Sequence, residues 1–306
     1  MNRSVVAEAA ALRKLELVVT RRLDGLLGGD YRGLFTGPGT ELAEGRPYAP
    51  GDDVRRIDWN LSARMAEPYV RTTEPDRELT TWVVVDGSAS LDFGTALREK
   101  RELALAGCAA VAFLTARGGN RVGGIITGGT TPVVVQPRSG AGGAFALLRK
   151  VAETPRQDGV PGDAATIAAA LTAVGRVQHR RGLVAVVSDF LEPGWPRALR
   201  RVATRHELLA LVVGDPRELT LPSVGLLTLV DPETGRRVEV QTASPKLRAR
   251  YAEAAARQSR ERTAALRASG ARVVPLSTDR DWVVDLVRHV AASRRRRGGL
   301  ASGITR

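Results

Sequence analysis

The chain has 306 residues, 43% of them apolar but only 4% aromatic, so it can bury a sizeable core built mostly of Ala, Val and Leu. Its single cysteine, Cys108, excludes an intrachain disulfide and any cysteine-based zinc site. A net charge of +13 and a pI of about 11.0 raise nucleic acid or an acidic protein as partners. Nucleic acid is disfavoured, because the arginines are scattered and the one dense run, Arg294–Arg297, lacks interleaved aromatics for base stacking.

Residues 5–27 carry Val6, Ala10, Leu17 and Leu23 near helical spacing and end at Gly28-Gly29, which predicts an amphipathic helix. Arg13, Lys14 and Glu16 interrupt the apolar residues there, so a signal peptide is not expected. The uncharged stretch 103–116 is too short for a membrane span and suits a buried helix. A cytoplasmic protein is the expectation. Residues 30–78 are rich in Gly and Pro and read as turns and short strands.

Within that segment Pro50-Gly51-Asp52 is a turn signature, and Asp52, Asp53, Arg55, Asp58 and Arg64 crowd together. Close carboxylates and guanidinium groups favour charge-assisted pairs that would staple a small module. A structural ion network is therefore expected ahead of catalysis, because acid–base chemistry wants at least one carboxylate removed from cations. The stretch Tyr48 to Arg64, with Pro50, Gly51, Asp52, Asp53, Arg55, Ile57, Asp58, Trp59 and Arg64 in register, resembles the signature of the bacterial "domain of unknown function 58" family. The resemblance spans roughly residues 30–290. It implies a von Willebrand factor A-like domain, and partnership with a MoxR-type AAA+ ATPase in chaperone-like assembly or maturation of other proteins. Many members carry N-terminal membrane spans, whereas this chain begins with a helix that reads as soluble.

The run Trp82-Val83-Val84-Val85 suits a strand buried on both faces, and it stops at Asp86-Gly87. Asp86, Ser88 and Ser90 then alternate, so one carboxylate and two hydroxyls converge past the strand end, where open α/β sheets bind ligands. Hard oxygen groups favour a small divalent cation, Mg²⁺ or Mn²⁺. The alternative is a plain strand-to-helix turn in which Ser88 or Ser90 merely caps the next helix. The Asp-x-Ser-x-Ser pattern is similar to the metal-ion-dependent adhesion site of von Willebrand factor A domains.

Thr95 is placed to cap a helix running to about Arg117. Two β-rich runs around Gly128-Gly129 predict a hairpin at the antiparallel edge of the sheet. A helix follows at 140–153, and another at Asp163–Val177 with Thr166 in its first turn. Similarity to the A-domain site makes Thr166 a metal-loop residue, while ordinary capping with Asp163 as N-cap remains open. Leu183 to Phe190 is a second buried strand ending in an acid, Asp189, which would lie beside Asp86 if the strands are neighbours. Two bare carboxylates there would repel each other without a cation. A strand at 206–213, a hairpin around the 231–235 turn, a helix at 245–269, a strand at 272–276 and a helix at 281–291 complete the pattern.

These elements predict an α/β protein, a Rossmann-like, doubly wound, mostly parallel sheet of von Willebrand factor A type. The expected divisions are an N-terminal helix and β/turn module at 1–79, the A-like domain at 80–292 and a basic tail at 293–306. A dinucleotide enzyme is excluded by the missing glycine fingerprint after the first strand. A dehalogenase-type phosphatase wants an acid where Ser88 stands. The reading is a non-enzymatic adaptor that holds Mg²⁺ (or Mn²⁺) through Asp86, Ser88, Ser90, Thr166 and Asp189 and leaves a position for an acidic residue of a partner. A nucleic-acid-binding protein and a divergent Mg-dependent hydrolase are the alternatives.

Overall fold

The computed structural model describes residues 13, 16–22, 45–50, 52–71, 79–156 and 165–289. The expected helix 5–27 is therefore seen only at 13 and 16–22 (α1), both helical. Gly51, Asp163 and the Arg294–Arg297 run lie outside the described residues. One compact unit comprises Thr36–Leu79; the other comprises Met1–Phe35 and Thr80–Arg306.

In the smaller unit β1 (Gly45–Pro47) pairs antiparallel with β2 (Tyr69–Arg71), and a 3-10 turn (Val54–Arg56) and α2 (Trp59–Met65) lie between them. Here the acids of the signature take part in local backbone hydrogen bonds. Asp53 caps the 3-10 turn by accepting from Arg55 N at 3.0 Å, Asp58 accepts from Leu61 N at 3.2 Å, and Asp52 accepts from Ala49 N at 2.9 Å. An Asp just before a short helix satisfies a donor that the helix leaves free, which is the local role of Asp53 and Asp58, while Asp52 closes the turn at 49–52. Arg55, Arg64 and Trp59 are exposed, Trp59 at 71%.

The larger unit is built on a six-stranded sheet in the order β10-β7-β6-β3-β4-β5. Its strands are β3 (Thr80–Val85), β4 (Arg121–Ile126), β5 (Val133–Ser139), β6 (Leu183–Ser188), β7 (Glu207–Gly214) and β10 (Arg272–Ser277). All neighbours are parallel except β5, which runs antiparallel on β4 at one edge. Chain direction reverses outward from β3, the doubly wound order that places a crevice at the carboxyl ends of the central strands. The expected Rossmann-like sheet and its antiparallel edge hairpin are both present.

Side-chain alternation along β3 divides the core in two. Val83 and Val85 face α3 (Lys100–Arg117), α4 (Ala141–Ala152) and α8 (282–289); Trp82 and Val84 face α5 (Ile167–Val177) and α6 (Trp195–Ala203), with Leu266 of α7 (Pro245–Ala268). Cys108 sits fully buried in α3, and burial alone pushes its thiol up to about 12, so it packs as a small hydrophobe. A separate antiparallel hairpin joins β8 (Leu226–Val230) to β9 (Arg237–Gln241).

Helix α3 starts four residues later than a cap at Thr95 predicts, with Glu99 in the N-cap position. Instead of capping, Thr95 gives its backbone N–H and its hydroxyl to Asp215 at 2.8 and 2.7 Å. Asp215 follows β7, is 3% exposed, and also accepts from Thr278 Oγ1 at 2.6 Å and Arg217 N at 2.8 Å. Burial alone would raise this carboxyl; the bonds from Thr278, Thr95 and Arg217 more than offset it and hold it below the ordinary carboxylate range. A depressed acid stabilises the fold above its unfolded pKa, and that stabilisation is lost as pH falls through the folded value. Asp215→Ala is expected to cost about 2–3 kcal/mol at pH 7. In urea titrations the gap to wild type should narrow steadily below pH 4; a gap that stays constant down to pH 2 would mean that the carboxylate charge is not what Thr95 and Thr278 recognise.

Candidate metal centre

Strand β3 ends at Asp86 because Asp86 N is the last donor of its ladder, bonding Val187 O at 3.0 Å. Gly87 then passes against the end of β4 so closely that a Cβ on it would lie 2.3 Å from Thr127 O. Gly128, at φ +100°, returns the contact: a Cβ there would lie 2.2 Å from Gly87 O. Only glycine allows this crossing of the two loops, and the crossing fixes where Ser88 and Ser90 emerge.

The parallel pairing of β3 with β6 makes these strands neighbours and so brings the second strand-end acid alongside the first. Asp86 is buried. Its Oδ1 accepts from Ser88 N at 2.9 Å and its Oδ2 from Ser188 Oγ at 2.6 Å. The Ser88 and Ser90 hydroxyls are 3.0 Å apart, and Ser90 Oγ donates to Asp189 Oδ2 at 2.7 Å. One continuous oxygen chain thus runs from Asp189 through Ser90 to Ser88, with Asp86 tied to Ser88 by its backbone. Just beyond Asp189, Phe190 adopts φ +55°, a left-handed conformation that bulky side chains rarely take. It is held there by Ser188 Oγ, which accepts from Phe190 N at 2.7 Å, and by edge-on packing against Trp195. Strain of this kind, about 1–3 kcal/mol, is characteristic of strand ends that aim a functional side chain.

Burial first, and the charge of Asp189 second, raise Asp86 to about 6. Glu192, three residues past Asp189, is raised to about 7 by burial and then by Asp86. It accepts from Ile167 N at 2.7 Å and so sits at the start of α5. Thr166 is itself the N-cap of that helix, its Oγ1 accepting from Ala169 N at 3.1 Å, so the helix starts later than Asp163. Capping therefore accounts for the Thr166 hydroxyl, although Ala165 joins Gly128 and Gly129 beside the Gly87 loop.

Four residues of this centre escape a reading by motif. Glu192 and Ser188 flank the second strand end. Glu233, at the tip of the β8–β9 hairpin, accepts from Ser90 N at 2.8 Å. Lys100, the first residue of α3, is 1% exposed and places its ammonium 2.8 Å from Asp189 Oδ2, with Glu218 on its other side. A cation in the first turn of a helix opposes the helix dipole; that misfit is the one sequence signal that marks Lys100 as bound elsewhere. It also answers part of the repulsion expected between bare carboxylates, since Asp189 already has a cation.

Two carboxylates and two hydroxyls, all hard oxygens, fit a small divalent ion that keeps some of its waters. The proximity of Asp86 and Asp189 is the feature such an ion would relieve, while Lys100 is bonded to Asp189 and Glu218. Among the described residues no group of three or more His, Cys, Asp or Glu side chains is arranged to hold a metal, so any ion here depends on the serine hydroxyls. No helix among the described residues is long and apolar enough to cross a membrane.

The architecture and the strand-end loops define an α/β protein with an oxygen-lined centre at its switch point. Residues 44–262 match the family described as "Protein of unknown function DUF58", and the chain belongs to it. It is 50% identical over 295 residues to uncharacterized proteins of Mycobacterium bovis and Mycobacterium tuberculosis, covering 96% of this chain and 91% of theirs. Among solved structures it is similar to the conserved hypothetical protein BatB from Bacteroides thetaiotaomicron (14% identity, TM-score 0.43, 71% of this chain and 99% of that one). It is also similar to the von Willebrand factor A domain of SpRpn10 (12% identity, TM-score 0.39, 69% and 94%).

Proposed function

We propose that the protein is a metal-dependent protein-binding adaptor, not an enzyme. Mg²⁺ or Mn²⁺ would be held by Asp86, Ser88, Ser90 and Asp189, with Thr166 as a more distant contributor. A carboxylate from a partner protein would complete the coordination. The observation that carries this reading is the buried, mutually repelling pair Asp86–Asp189, joined through two serine hydroxyls at the carboxyl edge of the sheet. When bound, the metal would supply a fixed, directional positive charge; the chain's part is to orient the hydroxyls and exclude bulk water from two carboxylates.

The placement of His179 and His206 supports binding over hydrolysis. His179 and His206 precede β6 and β7, so they lie at the amino edge of the parallel sheet, opposite Ser88 and Ser90. A serine nucleophile activated by imidazole needs the two within about 3 Å. The family resemblance carried by Pro50 to Asp58 adds the partner, a MoxR-type AAA+ ATPase, and with it a part in the assembly or maturation of other proteins.

The test uses the full chain and the MoxR-type ATPase of the same genome. Replacing Ser88 and Ser90 together by Ala, or adding EDTA, should abolish capture of the ATPase even at low salt. Raising salt should mainly slow association, because exposed charges are screened beyond about 8–10 Å. Undiminished capture by the double variant, with capture lost once Arg294–Arg297 are removed, would replace the adaptor by a basic-tail interaction.

A further inference from the structure

Along the sequence the arginines are spread out, but the fold gathers a group of them on one helical layer. Helices α5 and α6 pack side by side, and a Cβ on Gly194, the N-cap of α6, would lie 4.0 Å from Ala168 Cβ in the first turn of α5. Each turns its apolar stripe inward: Ile167, Leu171 and Val174 from α5, Trp195, Leu199 and Val202 from α6. The outer side of α6 is left to Arg197, Arg200 and Arg201, with Arg205 just beyond, all exposed. Arg176 at the end of α5, and Arg180 and Arg181 in the turn to β6, are exposed as well. Glu207 N donates to Gly182 O at 3.0 Å, so the turn that carries Arg181 lies beside the one that carries Arg205. Residues 167–181 and 194–206 thus hold seven arginines and no Asp or Glu.

These cations have no counter-charge of their own. The acids that border the face are engaged elsewhere: Glu207 pairs with Arg272, and Glu192 accepts from Ile167 N. No carboxylate among the described residues pairs with any of the seven. Like charges four apart on a helix, as Arg197 and Arg201 are, repel each other. The dipole of α6 suits Arg200 and Arg201 in its last turn but opposes Arg197 in its first. Helix electrostatics therefore does not account for the stripe, and an anion that covers the face would relieve its repulsion.

We infer that this face binds the phosphate backbone of a nucleic-acid duplex, an interaction independent of the oxygen centre at the carboxyl edge of the sheet. Every cation on it is an arginine, whose planar fork meets two phosphate oxygens at once. A duplex presents about one negative charge per 1.7 Å of its axis, a density suited to a close-set group of guanidinium groups. The aromatics of this layer, Trp82, Phe190 and Trp195, are buried. The face therefore offers no platform for unpaired bases, and the duplex, whose bases are already stacked, is the form it fits. Contacts of this kind fix position and carry no sequence preference.

The probe is a labelled DNA duplex of about 20 base pairs, titrated with the full chain by fluorescence anisotropy between about 50 and 200 mM salt. Four to seven phosphate contacts give a slope of log affinity against log salt of about −4 to −6. Replacing Arg197, Arg201 and Arg205 together by Gln should make that slope shallower by about 3 and weaken binding alike for any sequence. Because the three side chains are exposed, this variant should melt at or above wild type, which separates lost contacts from lost fold. Replacing Arg138, Arg149 and Lys150 by Gln removes the same charge from the opposite side of the sheet, where Arg149 and Lys150 already meet Glu153, and should leave the slope within about one of wild type. Equal losses in the two variants, or no duplex binding by wild type at the lowest salt, would overturn the inference. So would binding that both variants keep and that vanishes on removing Arg294–Arg297. Displacement of the duplex by poly-glutamate of equal total charge, as readily as by unlabelled duplex, would assign the face to an acidic protein instead.

Discussion

Lys100→Met is expected to lower the melting temperature by roughly 10 °C, from a loss of about 3–5 kcal/mol spread over a domain of this size. Among the described residues Lys100 is one of the largest fully buried side chains and the only charged one of that set. Burial alone would depress its ammonium, but Asp189 and Glu218 more than offset that and raise it above the ordinary lysine value. A raised lysine contributes stability that is complete below its unfolded pKa and is lost as pH climbs through the folded one. The pair is therefore fully formed at neutral pH, and its loss only begins in strongly alkaline solution. Methionine fills much of the volume but leaves Asp189 buried without its cation, and it is this orphaned charge that dominates the cost. Adding Asp189→Asn to Lys100→Met should recover a large part of the loss, a coupling that a double-mutant cycle reads directly. Saturating Mg²⁺ should also stabilise Lys100→Met more than wild type, since a bound divalent ion would take over the role of the ammonium. A melting temperature within a couple of degrees of wild type would show that Asp189 is not the dependent partner.

Asp86→Asn should reduce Mg²⁺ or Mn²⁺ affinity by at least about 100-fold, the upper end of what even indirect ligand contacts are worth. An amide keeps the shape of the side chain and can still accept from Ser88 N and engage Ser188, so the variant is expected to fold. Its metal-free stability supplies a second sign. Because burial and the Asp189 charge both penalise ionised Asp86, removing that charge should leave the metal-free protein as stable as wild type or more so. Calorimetry on chelator-treated protein measures the first quantity and thermal melting the second. Metal affinity unchanged by the amide would remove Asp86 from the ligand set; a large loss of metal-free stability would make it a structural acid.

The framework of the sheet was legible because its central strands are unbroken apolar runs. Val83–Val85 and Val184–Val187 are buried on both faces, and only a central parallel strand accommodates that. The same runs end in Asp86 and Asp189, so the core of the site could be placed from strand neighbours alone. What stayed hidden depends on long-range contacts. Glu218 meets Lys100 and Glu233 meets Ser90 across more than a hundred residues, and no local spacing encodes such a meeting. Thr95 misled for a related reason. Its hydroxyl suits a cap, but Asp215 from another strand end competes for it and offers a buried carboxylate in place of backbone amides. In the Pro50–Asp58 stretch, the places of Asp53 and Asp58 one step before Val54 and Trp59 mark them as helix caps, a second role beside the ion network that their arginine neighbours suggest.

The two outermost strands bear on how this protein behaves at high concentration. A sheet border is a row of free donors and acceptors onto which another chain can polymerise. Val133 and Val134 in β5 are 44% and 46% exposed, an invitation to such growth. Yet β5 contains Pro137 and β10 contains Pro275, so a residue without an N–H interrupts each border. A register irregularity between Val122 and Gly124 further bends the β4–β5 side. The lateral growth that leads to fibres is thereby blocked at both ends of the sheet, while the site lies at neither border, at the carboxyl ends of β3 and β6.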